Sequence, residues 1–129
     1  MRLLHTSDWH LGHVLHGQAR GREHAAFLAW LGDRLVEEAV ELLLVTGDIF
    51  DHANPPAEAE RMWFEFLATA RRRSPDLVIV AIAGNHDSPA RLGAPAAILG
   101  AAGVHVVTSL ARREDAIIHL PNATIAAVP

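Results

Sequence analysis

Three short polar clusters have side chains that could do chemistry: Asp8-Trp9-His10, Gly47-Asp48-Ile49-Phe50-Asp51 and Gly84-Asn85-His86-Asp87. They hold carboxylates, imidazoles and an amide oxygen, and the chain contains no cysteine. Thiolate zinc sites, disulfides and cysteine nucleophiles are therefore excluded, and any metal must sit on oxygen and nitrogen. Taken singly the clusters are commonplace; jointly they are informative, because each directly follows an apolar run. Brought together, Asp8, Asp48, Asp51 and Asp87 would crowd like charges into one cleft, which destabilises a fold unless cations intervene. A pair of divalent metal ions resolves this. Oxygen and nitrogen donors without sulfur suit manganese, iron or zinc better than calcium, and a carboxylate such as Asp48 can bridge two ions. Two ions roughly 3.5–4 Å apart form the clamp that hydrolyses phosphate esters.

The elements that must carry these clusters can be read from hydrophobic periodicity. Arg2 to Thr6 reads as a short strand and Ser7 to Arg20 as a loop rich in glycine and histidine. From Gly21 to Glu41 an amphipathic helix is expected: Phe27, Leu28, Leu31, Leu35 and Ala39 recur at three- and four-residue spacing, opposite Arg34, Glu37, Glu38 and Glu41. Leu42 to Thr46 is a continuous apolar run bounded by Gly47, as in a strand buried on both faces. Asn54-Pro55-Pro56 offers an N-cap and a proline for a helix running to Arg71, Arg72 and Arg73. Leu77 to Ala83 reads as a strand, Arg91 to Ala102 as a helix ended by Gly103, and Val104 to Val107 as a strand. Ala116 to Leu120 and Thr124 to Val128 suggest a hairpin. This βαβαβαβ order implies an α/β fold with right-handed crossovers, a largely parallel sheet and flanking helices. Functional loops then lie at the carboxyl ends of the strands, where Asp8, Asp48 and Asn85 can converge.

With 129 residues, half of them apolar, the chain can bury one modest core, which points to a small domain or a piece of a larger one. Charged residues, glycine and proline interrupt every apolar stretch, so no membrane span is expected. The N-terminus is too short in apolar residues for a signal peptide, which predicts a soluble, cytoplasmic protein. A formal charge of −4 supplies no long-range field for nucleic acid, although every cation is an arginine, the side chain best shaped for gripping phosphate.

The clusters D-x-H, G-D-x-x-D and G-N-H-D, in this order and spacing, resemble the first three signatures of the calcineurin-like metallophosphoesterases. Thr6-Ser7-Asp8-Trp9-His10-Leu11-Gly12, Gly47-Asp48-Ile49-Phe50-Asp51 and Ala83-Gly84-Asn85-His86-Asp87-Ser88 further resemble the SbcD family of bacterial nuclease subunits, over essentially the whole chain. The resemblance implies Asp8 and His10 on one metal, Asp48 bridging and Asn85 on the other, the ions being most readily Mn2+. It implies His86 facing the scissile phosphate as a charge stabiliser or proton donor, with Asp51 as its acidic partner, a pairing that would keep His86 basic. It also implies hydrolysis of phosphodiester bonds at DNA ends and hairpins, as exonuclease or endonuclease, together with an SbcC-type ATPase in DNA repair and recombination.

Other residues carry weaker expectations. His13, His16 and Arg20 lie in the first loop, where this family approaches DNA; a solvated loop accounts for them equally well. His5, His24, His105 and His119 are assigned to structure, and Asp87 to holding its loop or capping the next helix. Met62, Trp63, Phe64, Phe66 and Leu67 exceed one apolar face, which suggests a second burial surface and, by the resemblance, a homodimer through Met62, Trp63 and Phe66. The later histidine ligands of the family have no counterpart, so the 129 residues are expected to be the N-terminal portion of one metallophosphoesterase domain, truncated at the C-terminus and poorly active alone. Two alternatives stay open: a small-molecule phosphodiesterase or phosphatase of the same superfamily, or a non-catalytic dimerising module.

Overall fold

The computed structural model describes residues 1–111 and 113–129. Strands β1 (Leu3–Thr6), β4 (Leu42–Thr46), β5 (Val78–Ile82) and β6 (Val104–Val107) form a four-stranded sheet in the order β1-β4-β5-β6, parallel throughout. Leu3 stands against Leu42, Leu42 against Val78 and Ile79 against Val104, so the first three strands begin almost level. Consequently their carboxyl ends, and the loops that follow, also lie level.

The strand order advances in one direction. Each right-handed crossover then places its helix on the same face. That face packs Leu43, Val45, Ile79, Ala81 and Val104 against α1 (Gly21–Glu37), α2 (Ala57–Arg73) and Leu92 of α3 (Pro89–Gly93) in one core. The flanking helices thus lie on one side. Leu42, Val80 and Val107 form a second, smaller core with Ile118 and Ala127, below an antiparallel hairpin of β7 (Ile117–Leu120) and β8 (Ala123–Ala126). Another hairpin, β2 (Val14–Leu15) with β3 (Gln18–Ala19), occupies the segment expected to be only loop.

The helices depart from expectation at four points, each for a local reason. α1 stops at Glu37 because Ala39 adopts a left-handed φ of 47°, its N–H bonding Val36 O at 3.1 Å while Val40 N–H reaches Leu35 O at 2.9 Å. This is a Schellman ending with the hydrophobic pair Leu35 and Val40 buried beneath it, built without glycine. Ala39 is exposed and contributes nothing to the core. α2 opens at Ala57, not Pro55, and Asn54 does not cap it; Pro56 holds the N-cap position at φ −64° and ψ 149°. A residue preceding proline is driven out of the helical region, so Pro55 cannot begin the helix while Pro56 follows it. The single helix expected over 91–102 is two, α3 and α4 (Ala96–Ala101), since Pro95 has no N–H to continue the ladder. α3 begins early, with Ser88 Oγ accepting from Arg91 N–H at 3.4 Å.

Candidate metal centre

Each cluster lies just beyond the carboxyl end of β1, β4 or β5. Backbone hydrogen bonds continue the β1–β4 pairing into the loops: Asp8 N–H to Gly47 O at 3.1 Å, His10 N–H to Asp48 O at 3.0 Å, Leu11 N–H to Ile49 O at 2.9 Å and Asp51 N–H to Leu11 O at 3.1 Å. The first two clusters are therefore zipped together. Asp8, His10 and Asp48 sit at φ 57°, 46° and 49°, left-handed conformations that cost a non-glycine residue about 1–2 kcal/mol each and concentrate at functional sites.

What holds this strain is packing on both sides. Trp9, between the two expected ligands, is buried edge-on against Phe27, Trp63 and Phe66 at ring distances of 5.7, 5.6 and 5.3 Å. Its Nε1–H donates to Thr6 Oγ1 at 2.9 Å. The third cluster is strapped on by Asp87, whose buried carboxylate accepts from Phe50 N–H at 2.9 Å, Ile49 N–H at 3.2 Å and Gly84 N–H at 2.9 Å. Asp87 is thus the loop-holding residue expected. At Gly84 a Cβ would overlap both Oδ1 and the backbone N of Asp48, so the two loops can approach this closely only across glycine.

On this frame His10 Nε2 lies 3.9 Å from Asp8 Oδ1 and 3.9 Å from Asp48 Oδ2. The backbone N–H of His86 takes Asp48 Oδ1 at 3.0 Å, leaving Oδ2 for a cation. Two carboxylates and an imidazole whose donor atoms lie within 4.8 Å of one another fit a divalent cation of intermediate softness. His86 Nδ1 is 2.8 Å from the carbonyl oxygen of Asp51. A carbonyl only accepts, so Nδ1 carries a hydrogen and Nε2 is the free nitrogen. That hydrogen bond raises the His86 pKa above the usual imidazole value; partial desolvation opposes it, and the carboxylates of Asp48, Asp51 and Asp87 add to it. A cavity of about 400 Å³ opens over these groups, lined by Asp8, His10 and His86 and by His13, Arg20 and His24.

Sequence comparison agrees with this geometry. The family model for the calcineurin-like phosphoesterases matches residues 1–121. The chain belongs to that family. Among its relatives, a protein of Rhodobacter capsulatus named as the D component of the nuclease SbcCD is 52% identical over 112 residues, covering 87% of this chain and 28% of the relative. The protein of the same name from Bacillus subtilis is 39% identical, covering 95% of this chain and 31% of the relative. A DNA double-strand break repair protein Mre11 from Methanopyrus kandleri is 40% identical over 98 residues, covering 73% of this chain and 21% of the relative. The chain spans less than a third of the length of the curated relatives it matches.

Calcineurin-like phosphoesterases bind divalent metals, and the residues expected to do so fall at three adjacent strand ends. Asp8, His10 and Asp48 are together, and Asn85 is exposed at the tip of the third loop, between Gly84 and His86. Asp51 has more imidazole neighbours than expected. Its carboxylate meets His13 Nδ1 at 3.0 Å, His10 Nδ1 at 3.3 Å and His52 Nε2 at 3.0 Å, and one of its oxygens lies within 4.8 Å of a ring nitrogen of His86, whose hydrogen bond is to the Asp51 backbone. His10 and His13 come from the loop zipped to Asp51, which brings both rings to its carboxylate. His13 and Arg20 line the cavity, while His16 is exposed in the β2–β3 turn and is not among its lining residues. Trp63 and Phe66 do not form a second surface: they are 0% and 6% exposed, in the core beneath Trp9. Of the large apolar residues of α2, half-buried Met62 and Phe64, the latter 40% exposed, leave area for a partner.

Sequence reasoning gave no role to Trp9 or Gly84 and assigned His24 to structure alone. A large apolar residue between two polar ligands was a readable sign for Trp9. Gly84 was visible as part of the motif, but not the collision that requires it. His24 is buried in the wall of the cavity, and burial, then Arg20, lowers its pKa.

Proposed function

We propose that this chain carries the first half of the metal site of a DNA phosphodiesterase, a nuclease subunit acting on DNA ends and hairpins in repair and recombination. The observation that supports it most is the convergence of Asp8, His10 and Asp48 with His86 standing beside them, in a chain 52% identical to the D component of an SbcCD nuclease. In this reading Asp8, His10 and Asp48 hold one cation, and Asp48 and Asn85 contribute to a second. Two divalent ions, Mn2+ by preference, would supply Lewis acidity and a nucleophile at neutral pH when bound. His86 then works from Nε2: as the imidazolium it gives its Nε2 proton to the leaving oxygen and becomes the neutral Nδ1–H form, held on the Asp51 carbonyl. Arg20 and His13 take the non-scissile phosphates along the cavity wall, and His16 reaches DNA from the hairpin. The protein acts in the cytoplasm as a homodimer, meeting its copy through Met62 and Phe64, and with an SbcC-type ATPase, as the names of its relatives suggest.

The protein expressed from its complete reading frame should cleave linear and hairpin DNA with Mn2+ and be much slower on a small phosphodiester. The reverse preference would assign it to small-molecule chemistry, and absence of both metal binding and cleavage would make it a binding module. His86→Gln should keep its metals and lose at least 100-fold in hydrolysis, because it removes a contact made in the transition state. Asp48→Asn should instead weaken metal binding. Calorimetric titration beside a nuclease assay compares the two; equal metal loss in both would mean that His86 is a ligand.

A further inference from the structure

Asp51 gathers more imidazoles than one proton transfer requires. Its side chain is nearly nine-tenths buried, at 11% exposure. Oδ1 accepts from His13 Nδ1 at 3.0 Å and lies 3.3 Å from His10 Nδ1, while Oδ2 is 3.0 Å from His52 Nε2. His10 Nδ1 is fully buried, and its contact to Asp51 is too poorly aligned to count as a hydrogen bond. A buried ring nitrogen left unmatched costs about 1–3 kcal/mol, so this one has reason to tighten onto the acceptor beside it.

The chemistry of that acceptor decides which nitrogen bears the proton. A carboxylate can only accept, so an imidazole nitrogen pressed against it must carry hydrogen. Once hydrogen-bonded to Asp51, His10 would be the Nδ1–H tautomer with its lone pair at Nε2, the nitrogen 3.9 Å from both Asp8 Oδ1 and Asp48 Oδ2. We propose that Asp51 is a positioning residue for His10, fixing the tautomer and ring angle with which His10 meets a cation, and that His13 is the second arm holding Oδ1 in place. The inference rests on the metal-site reading above and assigns the Asp51 carboxylate a task distinct from a partnership with His86. Carboxylate–imidazole pairs of this kind raise ligand basicity, and their loss typically weakens metal binding 10- to 100-fold.

The test uses the protein from its complete reading frame. Calorimetry with Mn2+ should show binding weakened about 10- to 100-fold in Asp51→Asn, and by a smaller factor in His13→Ala, with circular dichroism and melting temperature unchanged. In the cation-free wild-type, nitrogen-15 spectra of labelled histidine should show His10 as the Nδ1–H tautomer, and in Asp51→Asn as a mixture. Unchanged Mn2+ affinity in Asp51→Asn with reduced hydrolysis would overturn the proposal and return Asp51 to His86. An Nε2–H tautomer at His10 in the wild-type would overturn it without any variant, should Asp51→Asn not fold. Wild-type protein that takes up no Mn2+ would sink the metal reading itself, which is a separate outcome.

Discussion

At the scale of single residues the centre depends on atoms that are missing as much as on those present. Gly84 has the negative φ any residue could adopt, yet it admits no side chain, since a Cβ there would overlap Asp48. Gly84→Ala is therefore expected to displace the Asp48 carboxylate, break its bond from His86 N–H, and cost on the order of 1–3 kcal/mol through overpacking. Thermal denaturation and metal titration should fall together; a variant with wild-type metal affinity would mean that the loop yields without moving Asp48. The residue types that gather at the centre were legible in the sequence, because Asp, His and Asn directly after apolar runs have few other uses in combination. The partner of Asp51 was not. Its carboxylate faces His10 and His13 because of how the first two loops are zipped, and no spacing rule encodes that.

Between elements, the decisive join is that of the third loop to the second. Asp87 satisfies the N–H groups of buried Ile49 and Phe50 and of half-buried Gly84 with two oxygens. Asp87→Ala would strand two buried donors at about 1–3 kcal/mol each and a half-buried third, so we expect it to lose several kcal/mol of stability, or to fail to fold. Asp87→Asn keeps one acceptor and should lose less. Urea denaturation of the two variants orders them; equal stability of Asp87→Ala and wild-type would show that water replaces the strap. Strand positions were readable almost to the residue, with Leu42–Thr46 and Val104–Val107 found as expected, since buried parallel strands are plain apolar runs. Helix ends were less so. Ala39 takes a position usually given to glycine, and Pro55 is excluded by its neighbour, both of them backbone effects invisible to hydrophobic period.

For the molecule as a whole, protonation and metal content are the accessible readouts. Burial holds the His24 pKa below its ordinary 6.5, so above that value both folded and unfolded chains are neutral there and His24 leaves stability independent of pH. As pH falls through 6.5 the unfolded chain takes the proton first, and stability declines. His86 works in the opposite sense, its raised pKa adding stability in acid that is lost as pH rises. Melting curves of wild-type and His24→Gln between pH 5 and 8, a range chosen to bracket about one unit or more either side of a free imidazole, should converge at the alkaline end and separate at the acid end. No separation would place His24 in contact with water. Metal content gives a second readout. In the proposed site Asp8, His10 and Asp48 would offer one ion three ligands and Asp48 and Asn85 would offer the other two, so the 129 residues alone are expected to retain at most one cation and to cleave DNA poorly. Elemental analysis after gel filtration checks this, and two retained ions would mean that further ligands come from this chain.

What the amino-acid order alone determined is the alternation of strands and helices, the family and the residue types that gather at the centre, because apolar period and strand-end motifs are local properties of the chain. That Trp63 and Phe66 are core rather than interface was beyond it: an apolar helix face looks the same whether it meets Trp9 or a second copy of the chain. That the flanking helices share one face of the sheet followed from strand order, which only pairing reveals. The placement of Asp51 among imidazoles was likewise decided by tertiary structure, since it depends on angles at Asp8, His10 and Asp48 that the chain adopts only when three loops pack together.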